Sequence, residues 1–261
     1  MFGKLRNSGF SLTEVLMAAG ILAIGFVFIA GMFPVGVKLT ALAAEQTIAP
    51  IAVDEAIAKI KLYADPNFVG ALWQAQLRSG SAYIDFSDLM LQRGFPIDQD
   101  EFTYPSADIR PELKKYHWSA LCRRIGLRDV HVIVFVSRKA GAGARYRYYD
   151  QFNAFHNDGR WPVPVKMVVG VGDDERRLII GTQDQRSYIS TGSTIVDDAT
   201  GRVYRVLKRR LDNDNIVFKL DRKLEGYVAP PANVSVWVVP PAVGSGRNPC
   251  VRVDPTHTIR F

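Results

Sequence analysis

One carboxylate stands where the surrounding sequence makes charge costly. After Glu14 no charged residue occurs until Lys38, and the 19 residues from Val15 to Phe33 are almost wholly Val, Leu, Ile, Ala, Gly, Met and Phe. An unpaired carboxylate at the edge of such a run costs about 2–3 kcal/mol or takes up a proton, so Glu14 calls for a partner. One candidate is local. Ser11 stands three positions earlier, a spacing that suits a capping box, in which the Ser and Glu side chains each bond the other residue's backbone N–H. That explains the Ser and the Glu but leaves Gly9-Phe10, just ahead of them, without a role.

The remaining polar groups give weaker signals. Asp212, Asp214 and Asn215 carry oxygens suited to calcium, but the segment lacks the Gly and the bidentate Glu of an EF-hand loop. It reads as a tight turn, as does Asp198-Ala199-Thr200-Gly201, while Asp173-Asp174-Glu175 reads as a solvated hairpin tip. Arg145-Tyr146-Arg147-Tyr148-Tyr149 interleaves cations with aromatics, as binders of single-stranded nucleic acid do. Because it follows Gly141-Ala142-Gly143, the favoured reading is a loop end with its tyrosines packed on the domain, and nucleic acid is not an expected partner. His117, His131, His156 and His257 show no ligand spacing, and Asp85 and Asp88 have no recognisable catalytic neighbourhood. No Ser/His/Asp or Cys/His grouping can be read from order alone. The expectation is a protein with no catalytic residue, metal or cofactor.

The apolar run reads as a helix that spans a membrane. Nineteen residues at about 1.5 Å each extend about 28 Å, close to the ~30 Å hydrocarbon thickness of a bilayer. Pro34 ends the uncharged stretch and removes one helix hydrogen bond, so a kink is expected there. The helical pattern then continues to about Tyr63, with Val53, Ile57 and Ile60 on one face and Asp54, Glu55, Lys59 and Lys61 around the rest. Pro50 is expected to kink this second half or to split it.

Taken together, a basic leader with Lys4 and Arg6, then Gly9-Phe10, Glu14 and the uninterrupted span resemble the class III signal of type IV pilins and type II secretion pseudopilins. The resemblance covers only about the first 35 residues. It implies that a prepilin peptidase cuts between Gly9 and Phe10 and that the new amino terminus is methylated. Gly9 can lie extended in a peptidase groove without steric cost. The α-ammonium created at Phe10 needs an anion in apolar surroundings. In a filament of parallel helices, Glu14 of one subunit would neutralise the Phe10 terminus of a neighbour and fix their register. The implied partners are the peptidase, other pilin or pseudopilin subunits, the inner-membrane assembly platform and the lipid bilayer.

Composition fits this without requiring it. The 261 residues are 48% hydrophobic and 23% charged, enough for a substantial core, and the net charge of +7 drops by two to +5 if Lys4 and Arg6 leave with the leader. The basic leader is expected to hold the N-terminus in the cytoplasm and the residues beyond Lys38 on the far side; the resemblance implies that this is a single-pass protein of a bacterial inner membrane with its C-terminal domain in the periplasm. A competing parse takes Ala41-Leu42-Ala43 as a secretory cleavage site, against which stand the length of the apolar run and Lys38 ahead of the site. In an oxidising compartment Cys122 and Cys250 are a candidate disulfide; the alternative is two buried thiols acting as small hydrophobes.

From Tyr116 the hydrophobic period changes to two. Tyr116–Arg124 and Val130–Ser137 read as a hairpin, and they look like the sheet of certain larger pseudopilin-like proteins. Further strands are predicted at Val165–Val171, Arg177–Thr182, Thr194–Asp197, Arg202–Arg209, Ile216–Leu220 and Val234–Val239. Short helices are predicted at Asn67–Leu77 and Phe86–Gly94, and a surface loop at Asp98–Pro111. Residues 192–224 read as an appended three-stranded meander, and the tail, with its Pro-Pro pairs and Gly244-Ser245-Gly246, as a surface run. The expected organisation is a leader, 1–9, a long pilin-type helix, 10–63, spanning the membrane over about 10–33, and a β-rich periplasmic domain, 64–261. The fold class is α+β, a long N-terminal helix packed on an antiparallel domain. The function expected is a structural filament subunit, by size a minor one. The alternative is a membrane-anchored periplasmic binding or enzymatic domain that does not polymerise, which the lack of a Gly/Ser linker after the span disfavours.

Overall fold

The computed structural model describes residues 11–63, 77, 82–91, 97–108, 110, 112–139, 145–149, 155–159, 161–172, 174–180, 185–212, 215–226, 233–243 and 248–260. The chain divides into two units, Met1–Ile48 and Ala49–Phe261. Helix α1 (Leu12–Tyr63) contributes to both and passes Pro34 and Pro50 without interruption, so the split considered at Pro50 does not occur. Each proline forfeits one rung of a ladder that continues on both sides of it.

From Val15 to Val37, within the first unit, the helix is apolar on every side. Within the second it becomes one-sided: Ala49, Ala52, Val53, Ala56, Ile57 and Ile60 are buried, while Asp54, Lys61 and Leu62 are exposed. The spacing i, i+3, i+4, i+7, i+8, i+11 is that of a single helical stripe. Its alanines widen the face expected from Val53, Ile57 and Ile60. Lys59 fixes the helix to the loop beyond: its ammonium donates to the Glu101 carbonyl at 2.7 Å and to the Glu101 carboxylate at 2.8 Å.

The β-rich part begins with β1 (Ile84–Asp85), helix α2 (Phe86–Leu91), a 3₁₀ turn Gln99–Phe102, β2 (Thr103–Tyr104), β3 (Tyr116–Arg124) and β4 (Asp129–Arg138). It continues with β5 (Tyr146–Tyr149), β6 (Phe155–Gly159), β7 (Val165–Val171), β8 (Arg177–Ile180), β9 (Thr194–Asp197), β10 (Val203–Asp212), β11 (Asn215–Leu220), β12 (Asn233–Val238) and β13 (Cys250–Arg260). The pairings are antiparallel. One sheet has the order β1-β3-β4-β13, with β2 also on β3; β7 to β12 close a barrel in the order β10-β11-β8-β7-β12-β9; β5 and β6 pair as a ribbon. The chain is therefore α+β. The helix expected at Asn67–Leu77 falls almost wholly outside the described residues, and the loop expected at Asp98–Pro111 contains the 3₁₀ turn, β2 and a buried Phe102.

Alternation fills the barrel. Val165, Met167, Val169 and Val171 of β7 are buried, as are Ile216, Phe218 and Leu220 of β11. Such a period of two puts one side of each strand inside a closed sheet. The barrel corrects the expected appended meander at 192–224: its three strands exist, but as half of a six-stranded closure that starts at Val165 and ends at Val238. The tail is also corrected. Residues expected to run over the surface form β13, which pairs along β4 from Cys250↔Ser137 to Arg260↔Asp129. Pro255 concealed it from the sequence, yet β13 is an edge strand and its register shifts between Asp254 and His257, the setting in which a strand tolerates proline.

The Cys122–Cys250 disulfide does not form. Cys122 pairs with Val132 and Cys250 with Ser137, five positions along β4 and on opposite sides of it, which places the two residues roughly 20 Å apart. A disulfide needs Cα atoms within about 7 Å. Both cysteines are free and buried, and burial pushes both thiol pKa values up, Cys250 to about 12. They act as small core residues.

One turn is tightly specified. Gly201, between β9 and β10, has φ +74°, and a Cβ there would lie 2.0 Å from the Tyr83 hydroxyl, which bonds His131 Nδ1 at 2.7 Å. A left-handed L-residue costs about 1–2 kcal/mol before any collision. Gly201→Ala is expected to lose about 2–4 kcal/mol in urea unfolding of the full chain in detergent micelles. An unchanged midpoint would show that Tyr83 yields freely.

Candidate assembly site

The junction Gly9-Phe10, where cleavage is expected, lies outside the described residues, so the site is described from Ser11 onward. Ser11 is the N-cap of α1. Its carbonyl accepts from the Glu14 and Val15 N–H groups at 3.0 and 3.2 Å, its hydroxyl accepts from the Glu14 N–H at 3.2 Å, and the same hydroxyl pairs with that of Thr13 at 2.8 Å. One half of the capping box is therefore built. The other half is not: among the described residues the Glu14 carboxylate makes no hydrogen bond or ion pair back to Ser11 or elsewhere.

Glu14 stands in the first helical turn, where the exposed N–H ends favour an anion. Beyond it the side chains are exposed all round: Leu16, Ile21, Phe26, Ile29 and Phe33 each show more than 60% of their surface. In water such a surface is strongly unfavourable, and it points to lipid or to other helices as its surroundings. Leu12–Tyr63 is long and apolar enough to cross a membrane. The arrangement thus offers, among the described residues, a carboxylate without a partner of its own at the end of an apolar rod. It can take a cation brought by another molecule.

The other residues weighed from sequence take ordinary structural places. Asp212 pairs with Asn215 to close the β10–β11 hairpin, with 213–214 outside the described residues. The β7–β8 tip is a turn in which the Arg177 N–H donates to the Asp174 carbonyl at 2.7 Å, and Glu175 pairs with Lys223 at 3.2 Å. Tyr146 is buried and donates its hydroxyl to the Arg138 carbonyl at 3.2 Å, which removes one of the faces offered for base stacking. His131 lies between the Tyr83 hydroxyl and the Pro255 carbonyl, each at 2.7 Å, and burial holds its pKa down. Among the described residues no group of three His, Cys, Asp or Glu side chains is placed to hold a metal ion.

One grouping escaped the sequence. Asp85, Asp88 and His117 line a common cavity, brought together by the pairing of β1 and β2 with the same edge of β3. No spacing announces it, since Asp85 and His117 belong to different strands that meet only in the folded sheet. No protein-family model, no curated protein and no solved structure matches this chain.

Proposed function

We propose that the chain is a prepilin-like structural subunit, a minor one by the size of its domain, of a type IV pilus or type II secretion pseudopilus. The observation that carries this reading is the Glu14 carboxylate, unpartnered among the described residues, in the first turn of an all-round apolar helix, five residues after Gly9. Leader removal between Gly9 and Phe10 creates the missing cation. The Phe10 ammonium of one subunit then pairs with Glu14 of a neighbour as the spans leave lipid for a bundle of helices, and low dielectric strengthens that pair. Before assembly the protein is held in the inner membrane with its β-rich domain on the periplasmic side, and the peptidase, fellow subunits and assembly platform are its partners.

The test is the N-terminal mass of the protein made in cells with and without prepilin peptidase. A chain beginning at N-methylated Phe10, present only with the peptidase, is the expected result, and Glu14→Ala should then abolish cross-linking between subunits while leaving the cut intact. Retention of Met1 to Gly9 would overturn the proposal and leave a capped anchor helix bearing a non-polymerising domain. A cut after Ala43 would overturn it in favour of a secreted domain.

A further inference from the structure

The outer wall of the barrel carries cations that no acid of the described fold answers. Along β11, Ile216, Phe218 and Leu220 fill the interior, so Val217 and Lys219 lie on the outer face. The registers extend that outer face across three strands: Lys208 of β10 stands opposite Lys219, and Lys219 stands opposite Arg177 of β8. All three are exposed. Directly opposed residues lie about 5 Å apart at Cβ, so three positive charges share about 10 Å of surface. The next row is Arg210, Val217 and Ile179, which adds a fourth exposed cation and two half-buried apolar side chains. Val168, two residues from the Gly170 that pairs with Ile179, is 57% exposed and extends the apolar part.

Such a row is unfavourable by itself, since like charges opposite one another destabilise a sheet. Cations nearby in the sequence are matched: Arg202 pairs with Glu225, and Lys223 pairs with Glu175 at 3.2 Å. Asp221, which follows β11, turns Oδ1 to the Arg205 N–H at 3.0 Å. Among the described residues the side chains of Lys208, Arg210, Lys219 and Arg177 make no hydrogen bond or ion pair. Protection of a free edge explains only part of this. Among the described residues β10 has no partner on its β9 side beyond Arg205, and charge there keeps other strands away. But β11 and β8 are interior strands, each paired on both sides, so Lys219 and Arg177 guard no edge.

We propose that this outer face of β10, β11 and β8 docks on a membrane surface bearing anionic phospholipids. The four cations meet headgroup phosphates, while Val217, Ile179 and Val168 lie against the boundary with the acyl chains. A soluble anion would leave those apolar side chains without a role. Single-stranded nucleic acid also carries phosphates, but it binds through aromatic platforms, and these two rows contain no aromatic residue. The proposal rests on the reading of α1 as a membrane span. A chain anchored in a bilayer holds its domain at a high effective concentration of lipid, so individually weak contacts suffice.

The test uses the full-length protein in vesicles of phosphatidylcholine alone, or of two parts phosphatidylcholine to one part phosphatidylglycerol. A nitroxide is placed on Val217→Cys and, in a second sample, on Leu127→Cys at the β3–β4 tip, where the side chain is 83% exposed; the native cysteines are buried. The readout is line broadening by a neutral, water-soluble nickel chelate. The label at 217 should be about threefold less accessible in the mixed vesicles and should recover at about 1 M sodium chloride, where the Debye length is about 3 Å, while the label at 127 stays unchanged. Lys208→Gln combined with Lys219→Gln should abolish the difference, with unchanged tryptophan fluorescence showing that the domain is folded. Equal accessibility in both vesicles, protection that survives salt or the double substitution, or protection of the label at 127 instead would each overturn the proposal. Oligothymidylate that shields the label at 217 in phosphatidylcholine vesicles as well as phosphatidylglycerol does would overturn it in favour of nucleic acid. A protein that floats with neither vesicle would overturn the membrane-span reading and this proposal together, whereas the other adverse outcomes strike this proposal alone.

Discussion

Asp198→Ala is expected to lower the stability of the protein by about 3–5 kcal/mol, the range for removing one partner of a buried charged network. Asp198 is buried just after β9, and its two oxygens serve three elements. Oδ1 accepts from the Tyr83 N–H at 3.0 Å and from the Trp237 indole N–H at 2.7 Å, while Oδ2 pairs with the Lys166 ammonium at 2.7 Å. Those partners come from the segment before β1, from β12 and from β7, so one carboxylate joins the open sheet to the barrel. The Lys166 side chain is 26% exposed and can turn toward water, whereas the Tyr83 and Trp237 donors cannot follow it. Asp198→Asn should therefore cost less, about 1–2 kcal/mol, because its amide oxygen still accepts from both N–H groups. Urea unfolding in micelles, read by tryptophan fluorescence, checks the pair of variants. An alanine variant within about 1 kcal/mol of the parent would mean that water satisfies all three donors and that the junction is not held here.

The second large effect is a cancellation that mutation should expose. Asp85 is pushed up from an ordinary 3.8 to about 7, first by burial and then by Asp88, while burial brings His117 down from 6.5 to about 3. Between about pH 4 and 7 the folded state holds an extra proton on Asp85, so its contribution to stability is full below this window and is lost as pH rises through it. At His117 the unfolded state holds the extra proton below about pH 6.5, so that contribution is present above this value and is lost as pH falls toward 3. Each slope is about 1.4 kcal/mol per pH unit, and from about pH 4 to 6.5 they oppose one another. Asp85→Asn removes the falling limb, and its stability should climb by about 3 kcal/mol more than the parent's across that window. His117→Asn should do the reverse. His131, also held low by burial, contributes equally to every variant and drops out of the differences. Parallel stability curves for parent and Asp85→Asn between about pH 4 and 6.5 would refute the assignment.

What was legible in the sequence was local. The boundaries of β3, β7 and β9 coincide with the runs Tyr116–Arg124, Val165–Val171 and Thr194–Asp197, because β-branched and aromatic residues fill them and turn residues flank them, and in β7 burial also alternates with a period of two. Ser11 and Glu14 were legible for the same reason, their three-residue spacing being a property of a single helical turn. What escaped needed registers between distant segments. The pairing of β7 with β12, Val169↔Val234 among others, closes the barrel, and nothing within either strand encodes its partner. β13 was hidden because Pro255 and the alternating polar residues of an edge strand resemble a surface tail. The cavity was hidden because Asp85 acquires its meaning only opposite Leu121.

The pairing of β13 with β4 carries a consequence for how the chain reaches this state. Ser137 and Cys250 face each other across a hairpin whose loop is the whole barrel, more than a hundred residues long. Closing a flexible loop of that length is entropically costly and slow, and topologies rich in such distant contacts fold late. A barrel that forms first shortens the effective loop, since strands β7 and β12 lie side by side and bring the chain ends toward each other. Until then β4 presents an unpaired edge capable of recruiting a strand from another chain. The edge of β4 is thus open to other chains until β13 arrives, whatever has formed before it.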